Sequence, residues 1–451
     1  MAKTTIRYVC GACGAISLSW SGKCQQCGNW NTLQEEVVPD VSDDGLPLLG
    51  KSLTPASVSK LIHRDQRRLA SGWADVDQVL GGGFVAGSIT LIAGEPGIGK
   101  STLLLQLADA VAAHHSVLYV SGEESAHQVG LRAARLTAQA KQLQLATSNS
   151  ADDIAATISS RAYELVVIDS IQTVATQSIG SGAGSISQIT SSTQAILTAA
   201  KASNVAAVLV GHVTKEGAIA GPKVLEHVVD VVLQLEGDRY GGLKVLRATK
   251  NRFGPTTEAG IFEMAEQGLR TVENPSAALL AERQITDGSV VLATLEGSRP
   301  LLVEIQALVN KTSYGYPKRA ASGIDLSRLN LLVAMLERRT KLRLSDQDIY
   351  INCVGGMRIT EPAADLAICL AIGSATKAML LKTNAVVFGE VGLSGEIRHV
   401  PFMEKRVAEA KKLGFAAAIG PLPAKEDKKL AGFVLGVRDV RSALNQFLTK
   451  E

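Results

Sequence analysis

The chain has 451 residues, a formal net charge of +3, an apolar fraction of 46% and a charged fraction of 20%. That length exceeds what one hydrophobic core usually holds, so two or three domains are expected. The near-neutral balance excludes a global basic field, and an aromatic fraction of 4% argues against extensive base stacking, so any nucleic-acid contact must come from local patches. No apolar run is long enough to cross a bilayer. The nearest, residues 362–381, is interrupted by Asp365 and Lys377 and reads as a packed helix, so no membrane partner is expected. Residues 1–5 lack the apolar centre of a secretory signal, which predicts a cytoplasmic location.

Four cysteines, Cys10, Cys13, Cys24 and Cys27, form two C-x₂-C pairs separated by ten residues. Each pair can turn both thiolates towards one cation, and two pairs complete a tetrahedron, so Zn²⁺ is expected. Two disulfides are the alternative, disfavoured in a reducing compartment. With four sulfurs and no open position, such a site serves structure or recognition. Trp20 and Trp30 are expected to pack around this knuckle, residues 1–34. Residues 35–59 are polar, with Pro39, Gly45, Pro47 and Pro55, and read as a linker. The basic run at 63–68 is either a solvated face or a nucleic-acid contact.

Residues 71–84 read as a short helix ending at a glycine stop, Gly81-Gly82-Gly83. An apolar strand at 89–93 leads into Gly94-Glu95-Pro96-Gly97-Ile98-Gly99-Lys100-Ser101-Thr102, and a Leu/Ala-rich helix follows to residue 113. This is G-x-x-x-x-G-K-[ST] in its required context of strand, loop and helix. Glycines allow successive N–H groups to turn inward as an anion nest, and the helix N-terminus adds partial positive charge. Lys100 can reach the β- and γ-phosphates of ATP, and the Ser101 hydroxyl can ligate Mg²⁺.

A strand at 117–120 ends in Glu123 and Glu124. Carboxylates at that edge of a parallel strand face the nucleotide crevice and can orient and deprotonate a water; an acidic helix start is the alternative. The apolar run 164–168 closes on Asp169, which is expected to hold the Mg²⁺ water shell. Residues 176–192 are almost entirely Gly, Ser, Ile and Gln, a composition expected to be mobile. The strand at 205–210 ends near His212, either a structural histidine or a polar sensor of the nucleotide. Strands are expected at 228–235 and 243–248. Then comes Lys250-Asn251-Arg252-Phe253-Gly254, whose two cations stand two residues apart and point the same way. At a subunit interface they could reach a neighbour's γ-phosphate, as arginine fingers do; a basic surface hairpin is the alternative.

The lead-in at 71–84, with its three glycines, resembles that of the RecA-like ATPases, and the Lys250–Gly254 pentapeptide resembles the signature of the bacterial RadA (Sms) repair family, which also carries a four-cysteine knuckle. The resemblance implies a RecA-like α/β core with a mainly parallel sheet at 60–272 and an α+β Lon-protease-like domain at 273–451. It implies Glu123 as the catalytic glutamate, His212 as the γ-phosphate sensor, and a DNA loop at 214–223 with Lys215 and Lys223. It also implies single-stranded DNA and recombination intermediates as partners, a recombinase as a further one, and a homo-hexameric ring that drives branch migration. Residues 355–365 and 389–398 look like the two Lon active-site segments. Where Lon carries its serine and its lysine this chain has Ala363 and Glu404, so no peptidase activity is expected. Residues 310–319, with Lys318 and Arg319, interleave cations and aromatics as a nucleic-acid contact would, or form a plain solvated loop. Cys353 and Cys369 read as core residues. The rival readings are an ATP-dependent Lon-like protease, a nucleotide-gated signalling switch resembling the KaiC relatives of RecA, and a zinc-dependent adaptor.

Overall fold

The computed structural model describes residues 4–10, 15–17, 19–39, 68–212, 222–237, 242–313, 315–423 and 430–450. The chain forms two compact units, Met1–Asp65 and Gln66–Glu451. The first is a three-stranded antiparallel ribbon of β1 (Thr4–Cys10), β2 (Ile16–Ser17) and β3 (Leu33–Pro39), with β1 in the centre. Thr4 pairs with Pro39, so residues 35–39 belong to the ribbon and not to the expected linker.

The second unit opens with β4 (Arg68–Leu69), α1 (Ala74–Leu80) and β5 (Phe84–Val85). A nine-stranded sheet follows: β6 (Ile89–Gly94), β7 (Val117–Ser121), β8 (Leu143–Thr147), β9 (Leu165–Asp169), β10 (Ala206–His212), β11 (Val231–Gly237), β12 (Leu243–Asn251), β13 (Ala259–Ala265) and β14 (Gly268–Thr271). Its order is β14-β13-β12-β11-β6-β10-β9-β7-β8. The six strands from β11 to β8 run parallel, and β12 to β14 extend the sheet antiparallel. Helices α2 (Lys100–Ala112), α3 (Ala126–Arg135), α4 (Ala151–Ser159) and α5 (Ile186–Ser203) connect the parallel strands. Uninterrupted apolar strands such as β6 and β9 exist because both faces are covered. Alternate residues serve opposite cores: Ile92 packs with Leu103, Leu107 and Val111 of α2, while Leu91 packs with Ile189 and Ile196 of α5.

The Gly/Ser-rich segment corrects an expectation of mobility, because its second half is the start of α5. Ser185 caps that helix, accepting from the Gln188 N–H. The buried Gln188 amide then replaces an apolar core. It accepts from the Thr176 N–H at 3.0 Å and donates to the carbonyls of Thr176, Ile179 and Ser181 at 3.1, 2.9 and 2.9 Å. One amide satisfies both backbone polarities, which composition alone does not reveal.

After the short helices α6 (Pro222–Leu225) and α7 (Pro275–Leu280), a second sheet forms from β15 (Ser289–Glu296), β16 (Arg299–Lys311), β17 (Arg319–Ser322) and, past α8 (Leu326–Thr340), β18 (Gln347–Cys353). The helix α9 (Asp365–Lys377) accounts for the longest apolar run, and Leu366 to Gly373 are all buried. A ribbon strand β19 (Leu380–Leu381), then β20 (Ala385–Val387), the hairpin β21 (Glu390–Val391) and β22 (Ile397–Arg398), α10 (Met403–Lys412), β23 (Ala417–Pro421), β24 (Val434–Val437), α11 (Val440–Phe447) and β25 (Leu448–Thr449) complete the chain. The seven-stranded order is β17-β18-β16-β15-β20-β23-β24. One apolar cluster joins Leu243, Val245 and Ile261 of the first sheet to Val290, Leu292 and Leu301 of the second. The Arg299–Asp75 and Arg247–Glu296 ion pairs, at 3.1 and 2.8 Å, reinforce that junction.

Candidate functional sites

The phosphate loop joins β6 to α2. Gly99 caps the helix at φ +114, a conformation side chains rarely adopt, and an added Cβ would meet Met264 Cε at 2.9 Å. The buried Lys100 donates to the carbonyls of Gly94 and Glu95 at 2.9 and 3.0 Å. Burial lowers its pKa to about 8, opposed by the charges of Asp169 and then Glu123, so the structure brings these three groups together. Asp169 ends β9, in register with Ser121 at the end of β7. The Ser170 hydroxyl donates to Glu123. Glu124 instead pairs with Arg132, and its N–H donates to Ser121 Oγ at 3.0 Å. Of the two glutamates, Glu123 is therefore the one turned to the phosphate loop. His212 lies opposite Gly94 in the β10–β6 pairing, which brings its backbone to the loop. Its side chain, Lys215, and the side chain of Lys223 in α6 lie outside the described residues.

Sequence reasoning missed Tyr119. Its buried hydroxyl donates to Asp169 Oδ2 at 2.6 Å, and burial, with the Asp169 charge next, pushes its pKa well above the usual value. It looked like one more apolar residue of β7; the only signal was a phenol in a strand otherwise aliphatic.

The Lys250–Gly254 pentapeptide sits at the opposite end of the strands, where β6 begins. In the β11–β12 pairing, Val232 faces Lys250 and Val231 faces Asn251, and Val231 is in register with Thr90 near the start of β6. Lys250 donates to the carbonyls of Glu226 and Val229 at 2.5 and 2.8 Å, and burial, then Arg252, lowers its pKa. Arg252 pairs with Asp230 at 2.9 Å and keeps about half of its side chain exposed (51%). The other three residues are structural. Asn251 Nδ2 donates to the carbonyls of Val79 and Leu80 at 3.2 and 3.1 Å, closing the end of α1. Phe253 packs on the core, and a Cβ on Gly254 would meet Gly81 Cα at 2.8 Å. Arg68 clamps the same junction, donating to the carbonyls of Gly81 and Phe253. That makes Arg68 a brace, while the rest of the basic run, 63–67, lies outside the described residues.

In the first unit, the sulfurs of Cys10, Cys24 and Cys27 lie within 4.8 Å of one another, and those of Cys10 and Cys27 are 3.7 Å apart. A tetrahedral zinc with bonds of ~2.3 Å separates its sulfurs by about 3.8 Å. No disulfide joins the described cysteines, and backbone hydrogen bonds from Cys27 and Gln26 lower the Cys24 pKa, so the donor set fits Zn²⁺. Cys13 lies outside the described residues. Trp20 and Trp30 do not pack around the knuckle: they are 60% and 70% exposed, and the Lys23 amine lies 5.6 Å from the Trp30 ring centre.

In the C-terminal domain Ala363, in the turn that leads into α9, is buried among Val291, Phe388 and Val400. Beside it, Glu361 accepts from Thr294, from the Leu295 N–H at 2.9 Å and from the fully buried Arg406 at 2.8 and 2.7 Å. Glu404 is exposed on α10. Lys318 is exposed and its N–H donates to Asp348 Oδ1 at 2.7 Å, while Arg319 donates to Asn330 Oδ1 at 3.3 Å at the sheet edge. Cys353 and Cys369 are core residues.

Residues 55–218 match the AAA domain family, 8–35 the rubredoxin metal binding domain, and 330–424 the subunit ChlI of Mg-chelatase. The core is thus a RecA-like ATPase that takes ATP with Mg²⁺, preceded by a zinc ribbon. The chain is 47% identical over 433 residues to the DNA repair protein RadA of Brucella abortus, with 93% of this chain and 92% of that one covered. It is 45% identical over 450 residues to that of Pseudomonas aeruginosa (99% of each) and 44% identical over 456 residues to that of Bacillus subtilis (99% and 100%). Similarity of this extent covers the zinc ribbon, the ATPase core and the C-terminal sheet together, and it makes the chain a member of the RadA family of DNA repair proteins.

Proposed function

We propose that the protein is a DNA-stimulated ATPase of recombination and repair that works as a hexameric ring on single-stranded DNA and drives branch migration. The phosphate loop binds the nucleotide through its N–H groups and Lys100. Ser101 and Asp169 would hold Mg²⁺, which neutralises phosphate charge when bound. Glu123 orients the attacking water and takes its proton.

The observation that carries this reading is the separation of the two sheet edges. β6 runs from Ile89, beside Asp230, to Gly94, the first residue of the phosphate loop. At ~3.3 Å per residue those ends are roughly 16 Å apart. Lys250 and Arg252 are therefore out of reach of their own phosphate loop. If they act on a nucleotide it belongs to another subunit, which a closed ring of identical copies supplies. The exposed Lys318 and the half-buried Arg319 are candidates for phosphate-backbone contact on the C-terminal sheet, and Lys215 and Lys223 remain candidates for the second DNA loop. The cysteine ribbon serves structure or recognition, without chemistry. A peptidase reading is disfavoured by a buried methyl group where a nucleophile would stand.

Steady-state ATPase rates with and without single-stranded DNA, across a salt series, test the DNA role. Stimulation that fades as salt rises is expected from phosphate engagement by Lys and Arg. A rate indifferent to DNA at low salt sinks this reading and favours a nucleotide-gated switch.

A further inference from the structure

We propose that Asp230 is the positioning residue for Arg252, setting the guanidinium at the sheet edge for a neighbour's nucleotide. This rests on the trans action of Arg252 proposed above. Asp230 sits between Val229 and Val231, where it reads as one polar residue in an apolar strand. In the fold it is buried and stapled on two sides. Its N–H donates to the Ile89 carbonyl at 3.0 Å, and its Oδ2 accepts from the Ile89 N–H at 3.1 Å. On the other side its carbonyl accepts from the Arg252 N–H at 3.2 Å, and its Oδ1 accepts from Arg252 Nη1 at 2.9 Å.

A buried carboxylate beside a group meant for phosphate needs a reason, since it opposes the anion. The geometry supplies one. The carboxylate side chain is 6% exposed and pairs with an arginine side chain that is 51% exposed. It tethers one of the five donors of a rigid fork, leaving the others towards solvent. A flexible arginine would lose rotamer freedom on meeting the phosphate; one already held by a carboxylate that is itself anchored to β6 has lost it beforehand. Lys250 is held in the same turn by the Glu226 and Val229 carbonyls, so both cations are presented from residues 226–230.

The test uses the full-length protein and four forms: wild type, Asp230→Asn, Arg252→Ala and the double variant. Asparagine keeps an acceptor for Ile89 but loses the charge that holds Arg252. The expected result is a DNA-stimulated kcat about tenfold lower for Asp230→Asn, with KM for ATP nearly unchanged, and no further loss when it is added to Arg252→Ala. Equal loss in both backgrounds would assign Asp230 to holding β6 alone and overturn the proposal, as would wild-type turnover in Asp230→Asn. If Arg252→Ala itself turns over normally, the trans reading fails and this one with it. Should Asp230→Asn melt well below the wild type, Arg252→Lys decides, because it leaves the Asp230–Ile89 bonds intact. A point charge without the fork should lose most of the turnover, and near-normal turnover in that variant also overturns the proposal.

Discussion

The two strand-end edges of the nine-stranded sheet, where its parallel strands finish and where they begin, are built in different ways. At one edge a single contiguous stretch, residues 94–102, makes the phosphate loop, and Asp169 and Glu123 arrive from the tips of the neighbouring β9 and β7. At the other, Arg68, Gly81, Asp230 and the Lys250–Gly254 segment meet from four separated parts of the chain. In the function proposed above, the first edge carries chemistry for the subunit's own nucleotide. The second presents Arg252 outward on a framework that Asn251, Gly254 and Arg68 brace from behind. A motif can thus be mostly scaffold: of the five residues of the pentapeptide, three hold the α1 junction in place. The C-terminal domain offers a third case, where a buried Ala363 and the Glu361–Arg406 pair fill the position with packing and charge.

Substitutions at either edge break this comparison to different degrees. The largest effect is expected at the first. Lys100→Ala should leave no measurable hydrolysis and weaken ATP binding, since a buried phosphate-binding cation is lost; steady-state turnover and equilibrium binding check it. Arg252→Ala should lower DNA-stimulated turnover by about 10³-fold, the scale of an arginine finger, with nucleotide affinity unchanged. Affinity that falls together with turnover would place the residue at its own subunit's site. Gly254→Ala tests the scaffold. Its Cβ would press on the Gly81 backbone, which cannot give way cheaply, and a loss of about 1–3 kcal/mol is expected in denaturant unfolding. The smallest effect is expected from Tyr119→Phe, which removes one hydrogen bond to Asp169. A loss of about 1 kcal/mol, or roughly fivefold in turnover, with a higher Mg²⁺ requirement, would mark it as the group that orients that carboxylate.

The first edge was legible in the sequence because its parts are local. The phosphate loop and the strand closed by Asp169 announce themselves by spacing, as the cysteine pairs do in the first unit, and the structure puts Lys100, Asp169 and Glu123 within electrostatic reach of one another. The second edge was only half legible. Lys250 and Arg252 stand out as charges, but Asp230 and Arg68 gain their meaning from partners 22 and 185 residues away. Gln188 was unreadable for a related reason: a Gly/Ser-rich stretch looks unpackable until one buried amide is seen to satisfy four backbone groups. Trp20 and Trp30 went the other way, since large apolar rings suggest a core, yet a ribbon this small leaves them exposed.

The most direct test of the account is complementation between subunits. Lys100→Ala and Arg252→Ala proteins, each inactive alone, are mixed and the DNA-stimulated ATPase rate is followed against their ratio. If Arg252 serves a neighbour's nucleotide, mixed assemblies contain sites with an intact phosphate loop from one variant and an intact Arg252 from the other, and activity reappears with a maximum near equal amounts. A rate that stays at the sum of the two inactive parents at every ratio, in subunits shown to exchange, would contradict it and confine both edges of the sheet to the same subunit.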